Sequence, residues 1–380
     1  MVLDRDKVSE VFKQLERYKS KDYSFSNGRI LGSMCTEPHP IARGAYLKFL
    51  DVNLGDPGLF PGSKEMEMKL IEFTGKLFHI PKTATGLSVS GGTEGNITAI
   101  WIAKKLINGR EMIIPKHVHF SFQKIASLMD IKLIPVDLTS DYTIDINSIR
   151  KHINSNTFAV VGVAGSTDLG VIDPISELSE ICLEEHIFLH IDAAFGGFVI
   201  PFLENHLPFD FSLPGVSSLS VDFHKMGYSA IPLGILFLRD KNWLDEISVE
   251  STCISIKRQA GLLGTRSAGP IAAAYAVTQY LGYDGYRKIV EKCMETTRYA
   301  EEKIQSIGLS IIRKPILNIL GVKLRNPSKV IEVLSRKGWK VGDMSHLSCI
   351  RIVVMPHVTK KVIDEFIPVL EEVCLEVGEI

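Results

Sequence analysis

Between about residues 81 and 239, short apolar runs alternate with amphipathic stretches of helix length. The apolar runs are 111–115 (EMIIP), 131–136 (IKLIPV), 158–165 (FAVVGVAG), 187–192 (IFLHID), 217–221 (SSLSV) and 234–238 (GILFL). Too short for helices and apolar on both faces, they predict buried strands. Between them, 95–109, 120–130 and 174–186 carry helical periods. Alternation of this kind predicts an α/β unit around a largely parallel sheet, with right-handed crossovers. Before it, Val8, Val11, Phe12, Leu15 and Tyr18 fall at helical spacing, and a Gly/Pro-punctuated arm follows. The stretch Asn53-Leu54-Gly55-Asp56-Pro57-Gly58-Leu59-Phe60-Pro61-Gly62 is too rich in Gly and Pro for regular structure and predicts an extended surface segment. After Pro270 the pattern changes to long helices over 271–283 and 284–307, strands near 309–312 and 317–324, a helix near 328–337, a strand near 349–355 and a last helix from Thr359. The expected division is 1–50 (helix and arm), 51–283 (large domain) and 284–380 (small α+β domain).

Composition narrows the function classes. Of 380 residues, 45% are hydrophobic, enough for a sizeable core, and 43 basic against 44 acidic residues leave a net charge of −1. That balance gives no general attraction to nucleic acid or to an anionic membrane. The first residues are charged and lack the apolar run of a signal peptide, and no stretch approaches the ~18 apolar residues of a membrane span. Cys35, Cys182, Cys253, Cys293, Cys349 and Cys374 are scattered, without a CxxC, as expected for reduced thiols in a cytoplasmic protein.

Candidate chemistry gathers at predicted strand ends. Ser90-Gly91-Gly92-Thr93-Glu94-Gly95-Asn96 opens a helix. Glycines let a ligand approach the backbone, a helix start presents free N–H groups, and Ser90 and Thr93 add hydroxyls, so the turn suits a phosphate. It is neither a Walker loop nor GxGxxG; on the motif alone an ordinary Gly-rich turn serves equally well. Lys225 follows an apolar strand in Asp222-Phe223-His224-Lys225, where apolar neighbours would disfavour its charge and make it an amine nucleophile. Taken singly it is an ordinary strand-end lysine. Asp192 ends the strand Ile187-Phe188-Leu189-His190-Ile191-Asp192, where open α/β sheets bind ligands, and Ala194 beyond it would let a planar ring lie flat. A buried carboxylate needs a partner; a protonated pyridine nitrogen is one, a strand-end hydrogen bond to His190 another, a metal a third. Strand alternation would put His117 and His119 on one face, and Thr167 sits in a strand-end turn. The order decides: Gly-rich helix start, His, Thr, Asp-x-Ala, His-Lys, each at a strand end along one edge.

That order resembles the group II amino-acid decarboxylases of the fold type I pyridoxal-phosphate (PLP) enzymes, in particular the archaeal L-tyrosine/L-aspartate decarboxylases, with archaeal glutamate decarboxylases nearby. The resemblance rests on Gly32-Ser33-Met34-Cys35-Thr36, Asn53-Leu54-Gly55-Asp56-Pro57-Gly58-Leu59, SGGTEGN, His119-Phe120-Ser121-Phe122, DAAFGGFVIPF, His224-Lys225-Met226-Gly227, Gly264-Thr265-Arg266 and 351–357 (RIVVMPH), and covers nearly the whole chain. It implies an α/β fold type I architecture, PLP as cofactor, and Lys225 as the lysine of the internal aldimine. It further implies Asp192 at the pyridine nitrogen, His119 and Ala194 on the two ring faces, and Gly91, Gly92, Thr93 and His224 around the phosphate. Thr167 would lie near the ring hydroxyl or the substrate, Arg351 would receive a substrate carboxylate, and Asn53 would lie on the substrate side. The implied assembly is a homodimer with Gly264-Thr265 reaching a neighbour's site, taking a small amino acid and neither nucleic acid nor membrane. Products would be tyramine, for methanofuran, or β-alanine, for coenzyme A.

Departures from the family pattern set the rival expectations. The loop before Gly264 has Cys253 where the family carries a proton-donating tyrosine. Cys253 or His224 would then be the acid, or the outcome would shift to decarboxylation-dependent deamination. The other rivals are a carbon–carbon lyase, a non-catalytic PLP-fold protein, and a metallohydrolase using His117, His119, His190, Asp192 and His224. For an acidic substrate, Arg266, Lys257 or Arg258 would supply a second cation.

Overall fold

The computed structural model describes residues 4–380. Seven strands form the main sheet: β1 (Thr85–Val89), β2 (Glu111–Pro115), β3 (Lys132–Val136), β4 (Thr157–Val163), β5 (Phe188–Asp192), β6 (Val216–Asp222) and β7 (Gly234–Leu238), in the order β1-β7-β6-β5-β4-β2-β3. β2 through β6 pair in parallel, and β7 runs against both β1 and β6. β2, β4, β5 and β7 are buried at every position, which is why they read as unbroken apolar runs. β1 (TGLSV) is half-buried and polar, and its strand character was not legible in sequence. Pro135 in β3 is tolerated because β3 is an edge strand.

Helices cover both faces. At the N-terminus lie α1 (Arg5–Lys19), α2 (Pro40–Lys48) and α3 (Pro61–Leu77). The sequence predicted only an arm where α2 forms; Pro40 and Pro61, each in the first turn, start α2 and α3. Crossing the sheet are α4 (Gly92–Leu106), α5 (Ser121–Met129), α6 (Ile146–His152) and α7 (Ile175–Glu184). A short hairpin, β8 (Val249–Glu250) with β9 (Arg258–Gln259), precedes α8 (Ala268–Ser306). The two helices expected here are joined end to end, and Gly282, at φ 56° and ψ −167°, breaks the helical geometry between them.

A second sheet, antiparallel and four-stranded, follows: β10 (Ser310–Ile311), β11 (Ile319–Lys323), β12 (Gly342–Met344) and β13 (Cys349–Val353), in the order β10-β11-β13-β12. With α9 (Pro327–Arg336) and α10 (Lys360–Val377) it encloses its own apolar core around Leu320, Ile350, Ile352 and Phe366. The arm between α1 and α2 docks here: Leu31 and Gly32 donate to the Lys340 carbonyl at 2.7 and 2.8 Å, and Val353 donates to Leu31 at 2.6 Å. No helix among the described residues is long and apolar enough to cross a membrane.

Candidate active site

A cavity of about 300 Å³ opens at the C-terminal ends of β4, β5 and β6, where parallel sheets place ligands. Its floor is the start of α4. Gly91 has a φ of 145°, and a Cβ there would stand 3.0 Å from His224; one on Gly92 would stand 3.1 Å from the Ala194 methyl. The free N–H groups of the first turn, with Ser90 and Thr93, line the cavity. Glu94 closes the turn by accepting the Ser90 N–H at 2.6 Å. His224 donates through Nδ1 to the Leu233 carbonyl at 2.9 Å, leaving Nε2 beside Asp222 Oδ2 at 3.7 Å.

Lys225 is not the uncharged amine its apolar neighbours suggested. Burial works against its charge, but Asp222, 3.1 Å away, and Asp192 outweigh it and raise the pKa above the ordinary lysine value. The second Asp222 oxygen, Oδ1, is buried without a hydrogen-bond partner and faces Gly91 and Gly92. Cys35, carried in by the docked arm, sits close enough to couple to Lys225, while burial raises its own thiol pKa.

Asp192, buried at the end of β5, accepts the Ala194 N–H through Oδ1 at 3.1 Å and the Asn96 amide through Oδ2 at 2.9 Å. His190 does not bond Asp192; it meets the other end of the Asn96 amide at 2.9 Å. His117 and His119 lie in the turn after β2, not on the strand, so alternation does not govern them. Both still line the cavity. His119 accepts the Ser121 N–H at Nδ1, and burial lowers its pKa. Burial opposes charge on His117 as well, but Asp173, 3.3 Å away, outweighs it and raises the pKa. Among the described residues no three His, Cys, Asp or Glu side chains converge as metal ligands, and His117 and His190 each have both ring nitrogens engaged.

Thr167 lines the cavity, and its carbonyl accepts from Arg351 at 2.6 Å. Arg351 also donates to Gly32 at 2.8 Å; its Nε is buried without a partner, and burial lowers its pKa. This guanidinium lies one residue behind the cavity wall and contacts no carboxylate at salt-bridge distance. Other expected residues lie elsewhere. Asn53 Oδ1 accepts the Gly55 and Arg266 N–H groups at 2.8 and 3.2 Å, holding a turn outside the cavity lining. Arg266 is committed to buried Glu67 at 2.6 Å, and Arg258 to Asp245 at 3.7 Å. Cys253, Gly264 and Thr265 are exposed and do not line this chain's cavity, because the β8–β9 loop turns outward and is tied to Asp56 and Gly58 through Ser255. Sequence reasoning singled out neither Asn96 nor Asp222 as a site residue, although both stand in the motifs SGGTEGN and DFHK.

The cavity thus joins a helix start that a Cβ would fill, an amine between two carboxylates, a carboxylate aimed from a strand end, and a small residue beside it. Those features fit PLP: a phosphate for the helix start, a carbonyl for the amine, a basic ring nitrogen for the carboxylate. Residues 58–317 match the model of the pyridoxal-dependent decarboxylase conserved domain. The probable L-tyrosine/L-aspartate decarboxylase of Methanosarcina acetivorans is 43% identical over 97% of this chain and 98% of its own. The L-aspartate/L-glutamate decarboxylase of Pyrococcus horikoshii is 43% identical over 98% of each chain. Among solved structures, the sphingosine-1-phosphate lyase of Burkholderia pseudomallei superposes with a TM-score of 0.89 at 26% identity, over 99% of this chain and 91% of that one. The chain belongs to the pyridoxal-dependent decarboxylases, PLP-dependent carboxy-lyases of fold type I that act on amino acids.

Proposed function

We propose that this protein decarboxylates L-aspartate and L-tyrosine, aspartate first, releasing CO₂ and β-alanine or tyramine. The observation that carries this reading is full-length identity above 40% to two relatives whose names share aspartate. Glutamate is the next candidate. In this reading β-alanine would feed coenzyme A and tyramine would feed methanofuran.

The residue roles follow from chemistry. When bound, PLP supplies an electron sink for the bond to the departing carboxylate. Lys225 offers the amine that ties the cofactor, and Asp222 holds a proton on its Nζ. Gly91, Gly92, Thr93 and His224 hold the phosphate on the positive end of α4. Asp192 keeps the ring nitrogen protonated, because an ionised buried carboxylate favours a proton on its partner. His119, Ala194 and Thr167, which line the cavity, would confine the cofactor's ring. Arg351 stands behind the Thr167 wall with one unpartnered N–H and would receive the substrate carboxylate on turning into the cavity.

In the homodimer we propose, Gly264, Thr265 and Cys253 serve the neighbouring copy's site, a reading supported by their exposure here and by exposed Leu262 and Leu263 beside them. A cytoplasmic place is supported by six unpaired cysteines. The remote Cys253 favours one second reading. If proton delivery from the loop fails, the electron pair reaches O₂, and water then releases aldehyde, ammonia and hydrogen peroxide with the CO₂. The test is holoenzyme incubated with aspartate, tyrosine and glutamate while CO₂, amine, aldehyde and hydrogen peroxide are quantified. Amine in step with CO₂ from aspartate supports the proposal, aldehyde and peroxide in step with CO₂ establish the second reading, and no CO₂ from any of the three removes both.

A further inference from the structure

Asp192 owes its setting to a buried chain of neutral groups drawn from three elements. Asn96 comes from α4, His190 from β5 and Ser218 from β6, and all three are at most 1% exposed. A carboxylate only accepts, so the Asn96 amide nitrogen faces Asp192 Oδ2, at 2.9 Å. Its other hydrogen points toward Ser121 Oγ at 3.2 Å. The amide oxygen therefore faces His190 Nε2, at 2.9 Å, and since it too only accepts, Nε2 carries the proton. His190 Nδ1 then accepts from the Ser218 hydroxyl at 2.8 Å. Burial holds the His190 pKa down to about 4, so the ring stays neutral near pH 7 and the direction of the chain is fixed.

These side chains stand where apolar ones would pack α4 onto the sheet. Partly satisfied buried polar networks are costly, whereas this one uses both ring nitrogens and both ends of the amide. Each link points a donor toward Asp192, and donors to a carboxylate favour its charged form without neutralising it. We propose that Asn96, His190 and Ser218 are positioning residues, a relay that orients Asp192 and keeps it ionised toward the cofactor's ring nitrogen. The relay rests on the reading of Asp192 given above.

The test uses apoprotein loaded with pyridoxal phosphate labelled with ¹⁵N in the ring, reading the nitrogen's chemical shift and the dissociation constant. The variants are Asn96→Leu, His190→Leu, His190→Gln and Asp192→Asn. Asn96→Leu is expected to weaken binding about tenfold and to move the resonance toward the unprotonated nitrogen, since it removes a hydrogen bond to a charged group. His190→Leu moves both the same way by less, and His190→Gln, whose amide can replace Nε2–H, restores them. Should the leucine variant of Asn96 not fold, Asn96→Ala, which removes the amide donor without adding charge, carries the same expectation. An analogue with carbon in place of the ring nitrogen should bind wild type and variants alike. If Asp192→Asn shifts the resonance while the Asn96 and His190 variants do not, the relay is overturned and the role of Asp192 stands. If Asp192→Asn also leaves the nitrogen unchanged, the role of Asp192 falls as well. Equal weakening of the carbon analogue would make these residues purely structural and overturn the relay.

Discussion

The ends of β5 and β6 and the β8–β9 loop come from the same chain and are built in opposite ways. At the strand ends, Asp192, Asn96, His190 and Asp222 are buried, and all but Asp222 are fully partnered from within. Around the β8–β9 hairpin, Val249, Leu262 and Leu263 are 59%, 49% and 43% exposed, and the loop's tip is tied to Asp56 and Gly58 through Ser255. On the reading proposed above, one copy carries the residues that would grip the cofactor, and the loop with Cys253 would complete the neighbouring copy's site. A site divided in this way can be broken in two separable places.

The largest effect is expected at Lys225. Lys225→Ala should remove the borohydride-fixed cofactor mass from the peptide containing residue 225 and lower CO₂ release by roughly a thousandfold or more, since among the described residues no other amine lines the cavity. PLP should still bind without covalent attachment, because the α4 cradle and Asp192 are untouched. Loss of all binding, read by fluorescence titration, would place the grip in Lys225 itself and break the comparison on its cofactor side.

How much of this was legible follows the same divide. The buried strands announced themselves because both of their faces are covered, and the chemistry was legible because parallel strands bring their ends to one edge. Asp192, Lys225, His119 and the glycines at 91 and 92 could therefore be picked out one strand end at a time. What was not legible depends on partners distant in sequence. Nothing local says that Asn96 bridges His190 to Asp192, that Asn53 is consumed by a turn with Arg266, or that Arg266 belongs to Glu67. The charge on Lys225 was misjudged in part for the same reason: Asp192 reaches it from another strand, while Asp222, three residues back in the same motif, was passed over for the apolar neighbours. β1 escaped because its half-buried pattern resembles a loop.

The loop comes next in size. Chains lacking residues 250–257 and chains carrying Lys225→Ala should each be nearly inactive as homodimers. Unfolded and refolded together in equal amounts, they should recover about a quarter of wild-type activity. Half the dimers would be mixed, and each would hold one site with both an intact Lys225 and a neighbour's intact loop. No recovery would mean that the loop serves its own chain's cavity. A companion pair, Leu262→Ser with Leu263→Ser, should weaken the dimer about tenfold or more by exposing less apolar surface to bury, measured by sedimentation.

The smallest expected effect sharpens the cofactor side further. His117 is buried against Asp173 with its pKa above the ordinary histidine value, the carboxylate having outweighed burial. A group whose folded pKa exceeds its unfolded one stabilises the fold fully below the unfolded value, about 6.5, and loses that contribution as pH rises through the folded value. Stability should therefore fall on going from about pH 6 toward pH 9, and His117→Gln should flatten that slope, measured as urea midpoints at matched ionic strength. Asp173 keeps the Ile144 and Val163 N–H groups, at 2.8 Å each, when His117 loses its proton, so the change should be a slope and not a collapse. A variant slope equal to wild type would show that the pair holds no proton of consequence. The His117 ring would then be neutral, like His190 behind Asp192, and the Asp173 carboxylate would owe its burial to the Ile144 and Val163 N–H groups.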